Sequence, residues 1–236
     1  EVWLSHWHED HLTYLDLFAD LPLAQMACEA EPLADLEAFL DWYGIGKEEY
    51  RDYWRRILPT DFHFRPRKAT RHFTPGEVID LGTCTAEVIH APGHTPGFTV
   101  FYFREPQVLY LGDYDLTAFG PWYGDRDSSI EDTIASLQRL RKIPAKVWLT
   151  SHENGCFEGD ATEAFDRYLA VIDAREAKLL DFLSAPRTME DIVAACLVYR
   201  KPREPKAFFE WGEGAIMGKH LERLLGRGEI VLDAGR

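Results

Sequence analysis

The sequence predicts an α/β fold with a small C-terminal appendage. Short apolar runs at 2–5, 84–90, 98–103, 108–112 and 146–150 have the length and alternation of strands. Longer stretches between and after them carry apolar residues at the three- and four-residue spacing of helices. Pro186 then interrupts the helical pattern. A boundary near residue 185 follows, dividing the chain into a larger N-terminal domain, 1–185, and a C-terminal domain, 186–236.

Taken in order, the run 2–5 leads directly into a histidine cluster. Helices are expected at 32–43 and 47–57. Arg104-Glu105-Pro106-Gln107 separates two strand-like runs and suggests a hairpin. A helix over 129–142 is marked by Ser128 and Glu131 at capping-box spacing, the stripe Ile130, Ile134 and Leu137, and Pro144 beyond its end. A long helix is expected from Thr162 to Leu183. Beyond Pro186, Thr188 and Asp191 again have capping spacing. A last helix is expected over 209–225, with Glu229 to Leu232 as a short strand.

The 236 residues carry a formal net charge of -14. Such a chain repels phosphate backbones at long range, which disfavours nucleic acid as a partner. Residues 186–236 hold nine Lys and Arg against eight Asp and Glu, a net of +1, which leaves -15 for 1–185. The cluster Arg200, Lys201, Arg203 and Lys206 reads as a solvated loop. No apolar run reaches the ~18 residues of a membrane span. Cys28, Cys84, Cys156 and Cys196 are too far apart to form a metal knuckle or redox pair, so they are expected to be reduced thiols of a cytoplasmic protein. Glu1 does not look like a natural N-terminus, since the strongest motif begins five residues later.

That motif is His6-Trp7-His8-Glu9-Asp10-His11, three imidazoles and two carboxylates within six residues. In an extended segment, residues two apart point the same way, so His6 and His8 can grip one ion together. Asp10 and His11 follow where the chain must turn and can face a second ion beside the first. Imidazole and carboxylate suit Zn, Mn or Fe. Three later apolar runs also end on potential ligands: one leads into Ala91-Pro92-Gly93-His94, one into Gly112-Asp113, and one into Ser151-His152.

This pattern resembles the metallo-β-lactamase-fold superfamily: the histidine motif at 6–11, Pro-Gly-His-Thr at 92–95, Gly-Asp at 112–113 and Ser-His at 151–152. The resemblance covers roughly 1–157. It implies an αββα sandwich with the site along one edge of the two sheets. It implies that His6, His8 and His94 bind one metal, that Asp10, His11 and His152 bind the other, and that Asp113 bridges them. Two divalent ions are expected, zinc first, with iron or manganese as alternatives. Family members have several strands ahead of the histidine motif, whereas this sequence has almost none. Lys219 to Leu224 followed by Gly228 to Val231 resembles the small winged-helix appendage of some glyoxalase II-like and β-lactamase-like hydrolases.

The implied chemistry is hydrolysis of an ester, thioester or lactone by a metal-bridged hydroxide. Asp10 would orient the nucleophile or shuttle its proton, and Asp113 would hold both ions. Phosphodiester cleavage, including RNA processing, is the alternative on the same fold. A mononuclear iron dioxygenase and a non-enzymatic winged-helix regulator are two further readings, and the complete ligand set speaks against the last. A small-molecule substrate is expected, and a homo-oligomer is left open. Trp7, Phe119, Trp122 and Tyr123 are candidate pocket residues. So is the aromatic stretch 39–66, where Tyr50, Tyr53, Trp54 and Ile57 share one helical face. That face is expected to wall the substrate pocket. His63, His72, His90 and His220 match no ligand position and read as structural.

Overall fold

The computed structural model describes residues 1–153 and 155–233. Its strands form two sheets. The smaller is parallel, in the order β1 (Val2–Trp3), β2 (Leu23–Gln25), β3 (Arg71–His72). The larger runs β4 (Val78–Asp80), β5 (Thr85–His90), β6 (Thr99–Phe103), β7 (Val108–Gly112), β8 (Val147–Thr150), β9 (Cys156–Glu158). It is antiparallel except where β7 pairs with β8. The helices are α1 (Glu9–Leu12), α2 (Ala30–Ala34), α3 (Leu36–Tyr43), α4 (Glu48–Thr60), α5 (Ile130–Leu140), α6 (Thr162–Phe182), α7 (Met189–Ala195) and α8 (Lys206–Gly226).

Side chains along a strand alternate between its two faces, and here the alternation builds the layers. Leu23 joins Leu4, Trp7, Phe39, Leu40 and Trp54 beneath α3 and α4. The next residue, Ala24, packs with Phe73, Val88 and Phe101 between the sheets. On β6, Phe101 faces that inter-sheet layer, while Val100 and Tyr102 meet Leu137 of α5 and Phe165 and Tyr168 of α6. The result is helix, sheet, sheet, helix, the sandwich the resemblance implies.

Strands β5, β7 and β8 run in the same direction, so His94, Asp113 and His152 leave one edge of the larger sheet. The backbone bond from Thr99 N to Ser5 O, 2.9 Å, brings the start of the histidine motif to that edge.

Several boundaries differ from expectation. The helix expected over 32–43 is broken at Asp35, which is extended (φ -151°) and accepts from Ala38 N to cap α3. A short side chain that satisfies a free helical N–H makes a restart favourable there. The cap of α5 is Ser129, accepting from Asp132 N, one residue beyond the Ser128 and Glu131 pairing. Thr188 and Asp191 do form the capping box. The strand expected at 229–232 is absent among the described residues; α8 ends at Gly226 and a turn follows. The described part of 186–236 is therefore two helices without the strands of a wing. Tyr199, Trp211 and Gly212 of this segment pack against residues of 1–185, and α8 contributes Ala207 and Trp211 to the core beneath α4.

Candidate metal centre

All seven residues read as ligands converge. One donor atom each from His6, His8, His94 and Asp113 lies within 4.8 Å of the others, and the same holds for Asp10, His11, Asp113 and His152. Asp113 belongs to both groups. In the first, His6 Nε2 and His94 Nε2 are 3.1 Å apart, at 3.6 and 3.4 Å from Asp113 Oδ2. In the second, His152 Nε2 stands 3.2 Å from Asp113 Oδ2 and 3.4 Å from Asp10 Oδ2. His11 Nε2 lies 2.8 Å from Asp113 Oδ1.

The surroundings determine which nitrogen each ring offers. His94 Nδ1 lies 3.2 Å from the carbonyl of Trp122, which can only accept, so the bare lone pair is on Nε2. His8 Nε2 lies 2.7 Å from Asp125 Oδ2, which leaves Nδ1 as the free donor. His6 Nδ1 is 3.0 Å from Ser5 Oγ. His11 Nε2 and Asp113 Oδ1 are buried and face each other at 2.8 Å without hydrogen-bond geometry, and neither has another hydrogen-bond partner among the described residues. Buried polar atoms without partners are rare in native structures, and an unseen ion is one of their standard explanations. Lone pairs aimed at a common point fit a cation, and the imidazole and carboxylate set fits a borderline transition metal.

Electrostatics agree. Burial drives the His6 ring well below its usual range, so it is neutral and able to ligate. Burial pushes Asp113 up, but His6, His11 and His152 outweigh it and hold the carboxyl well below the usual carboxylate range. His152 is raised to about 9, first by its bond to Asp113. His11 is raised too, its carboxylate neighbours overriding burial. For His8, burial is likewise overridden by Asp125, and the ring reaches about 9. The carboxylates of the cluster thus draw in positive charge, which divalent cations would supply.

Deeper groups hold the ligand loops. Buried Glu29 accepts from Thr95 Oγ1 (2.8 Å) and Gly97 N (2.6 Å) and so braces the loop carrying His94; burial raises its pKa to about 7. Tyr168 donates to the Asp113 carbonyl at 3.0 Å. Tyr43 stacks on His8 and donates to Glu9. None of these partners carries a motif. Asp125 lies 117 positions from His8, and nothing local in the sequence marks the contact.

The expected pocket residues mostly lie elsewhere. Trp7, Trp54 and Tyr123 have no exposed surface. Trp7 packs against Phe39 and Tyr43, and Trp54 Nε1 donates to the Ala207 carbonyl. Tyr123 is bonded to Arg175 and His220. Phe119 is 39% exposed but stacks on Tyr199. Trp122 Nε1 donates to Asp125. The aromatic face of α4 is thus mainly core, as its large apolar area requires once α8 covers it. Tyr50, but not Tyr53 or Trp54, lines a cavity of about 920 Å³ between 43–50, 124–126 and the C-terminal helices. None of the seven converging residues lines that cavity. Of the histidines read as structural, His90 is bonded to the Pro96 carbonyl and His220 is buried.

Residues 1–152 match the family model described as the metallo-beta-lactamase superfamily. A hydroxyacylglutathione hydrolase of Hyphomonas neptunium is 32% identical over 75% of this chain and 60% of its own length. An acyl-coenzyme A thioesterase of Gallus gallus is 28% identical over 59% of the chain and 50% of its own. The chain thus spans 60% or less of these relatives. The crystal structure of a metallo-beta-lactamase family protein from Thermus thermophilus shares the fold, with a TM-score of 0.70 at 23% identity over 96% of this chain and 74% of that one. Two convergent clusters sharing one aspartate, on an αββα sandwich with this family match, identify the chain as a member of the metallo-beta-lactamase superfamily.

Proposed function

We propose that this chain is a dinuclear metal-dependent hydrolase acting on thioesters, with esters and lactones as the neighbouring substrate class. The observation that carries the reading is Asp113 placed in both donor groups at once. Bound there, two divalent ions, zinc foremost, would lower the pKa of a water toward neutrality and polarise the scissile carbonyl. His6, His8 and His94 would hold the first ion, and Asp10, His11 and His152 the second. Asp10 is the least constrained carboxylate, with its side chain 41% exposed, so it is placed to orient a water or take its proton. The thioester preference rests on the names of the two relatives above, both hydrolases of acyl groups carried on sulfur.

Phosphodiester cleavage has no comparable support, since the chain is acidic overall. A small-molecule substrate is in keeping with the hydrolase relatives; no helix among the described residues is long and apolar enough to cross a membrane. The test is elemental analysis of metal-replete protein together with a panel of thioesters, lactones and phosphodiesters. Two ions per chain and thioester turnover are expected. One ion per chain, or turnover of phosphodiesters alone, would overturn the reading.

A further inference from the structure

Segment 122–128 touches two of the ligand imidazoles from outside. The Trp122 carbonyl faces His94 Nδ1 at 3.2 Å, and the Asp125 carboxylate faces His8 Nε2 at 2.7 Å. Ser128 Oγ donates to the His94 carbonyl at 2.6 Å. Asp125 is 1% exposed, and both its oxygens are engaged: Oδ2 by His8, and Oδ1 by Trp122 Nε1 at 2.8 Å. A buried carboxylate with both oxygens satisfied has one low-energy orientation, and a ring bound to it inherits that orientation.

The segment is itself clamped. Arg126 N donates to the Trp42 carbonyl at 3.0 Å, and Lys219 of α8 donates to the Arg126 carbonyl at 2.7 Å. The Trp122 ring lies against Trp211, with centroids 5.4 Å apart. A Cβ on Gly212 would come within 2.6 Å of Tyr199 Oη and 3.3 Å of Trp122, so α8 packs there at close range.

We propose that 122–128 is a positioning segment for the metal centre: Asp125 fixes the tautomer and plane of His8 so that Nδ1 faces the ion, and α8 holds Asp125 in place. The inference rests on the proposed metal-binding role of His8. A carboxylate behind a ligating histidine aligns the ring and raises its basicity, and its loss typically costs about 10–100-fold in metal affinity.

The test is zinc affinity measured by chelator competition on the full chain, with the melting temperature of the metal-free protein and the cobalt(II) absorption spectrum as further readouts. In Asp125→Ala, one ion of the two is expected to bind about 10–100-fold more weakly. Its cobalt bands should shift while the other ion binds as in wild type; the two lost buried hydrogen bonds lower the metal-free melting temperature without equalising the two ions. Asp125→Asn keeps an acceptor for His8 but no charge, and turns an N–H toward Trp122 Nε1, so partial recovery is expected. Wild-type affinity and spectrum in Asp125→Ala would overturn the inference. So would equal weakening of both ions with a lowered metal-free melting temperature and no recovery by Asn, the pattern of a purely structural residue. Should the Ala variant not fold, Asn decides: weakening of one ion supports the inference, and unchanged affinity overturns it. A wild-type chain that binds no metal sinks the proposed function as well; a chain that binds two, with variants unchanged, sinks only this inference.

Discussion

The two halves of the candidate metal centre are built to different standards. His6, His8 and His94 are 0%, 5% and 2% exposed, and the second nitrogen of each ring meets a protein group, Ser5, Asp125 or Trp122. Asp10 and His152 have side chains 41% and 40% exposed. Among the described residues, no group is hydrogen-bonded to Nδ1 of His11 or His152. Rings locked before an ion arrives lose little entropy on binding it, whereas exposed side chains must be ordered by the ion itself. The buried half should therefore hold its ion tightly, and the open half should exchange its ion and admit substrate.

Asp113 joins the halves, so its loss should have the largest effect. Asp113→Ala is expected to release both ions and to lower hydrolysis on the order of a thousandfold, the upper range for removing one group that stabilises a transition state. His152→Ala should keep the buried ion. Metal content and turnover of the two variants check this directly, and equal metal in both would mean that Asp113 is not shared.

The asymmetry can be measured in the unaltered protein. Graded addition of a chelator should remove the ions in two phases, separated by at least about tenfold in affinity, since the groups behind the ligands change metal affinity by about 10–100-fold. The first phase should vanish in His152→Ala, and the second should weaken in His8→Ala. A single phase for both ions would break the comparison.

The same asymmetry marks what is legible in the sequence. The seven converging residues stand out because they sit at strand ends in short motifs, where chain direction alone brings them to one edge. The groups that orient the buried half do not. Asp125, Glu29 and Tyr168 act across long separations, through contacts that depend on packing rather than on local pattern. Strands β2, β3, β4 and β9 escape a reading of the sequence because each has only two or three residues and no measurable alternation. The aromatic spacing of α4 correctly marks one buried face. It carries no information about the neighbour, which is α8 and not a substrate. The terminal strand fails for a related reason: an apolar run such as Ile230 to Leu232 becomes a strand only beside a partner edge.

Trp54 sharpens the comparison from the core side. It packs on Tyr43, which stacks on His8, so it supports the buried half without touching the open one. Trp54→Ala should cost about 3–5 kcal/mol of stability, as large core aromatics do. The folded fraction should keep its metal content and KM. A raised KM at unchanged stability would return Trp54 to a pocket wall.

The last expectation concerns acid, and it separates the support of the site from its ligands. His220 has no exposed surface; its Nδ1 faces Glu176 at 3.3 Å and its Nε2 faces the Tyr123 hydroxyl at 2.9 Å. Arg175 donates to the same hydroxyl, which leaves the Tyr123 proton for His220 Nε2. The neutral ring is thus satisfied at both nitrogens, as donor to the carboxylate and acceptor from the phenol. Burial holds the pKa of His220 down at about 4, against 6.5 for a free imidazole. The unfolded chain therefore binds the proton first as acid is added. The stability contributed by neutral His220 is complete above about pH 6.5 and is lost progressively as pH falls toward 4, up to about 3 kcal/mol. Glu176, held low by His220 and Arg223 against the effect of burial, loses stability in the same direction. Melting curves of the metal-free protein between pH 7 and 4 should show this loss, and His220→Gln should flatten it. An equally steep decline in His220→Gln would place the acid sensitivity in other groups, Glu176 among them, and the neutral His220 ring would then not be its source.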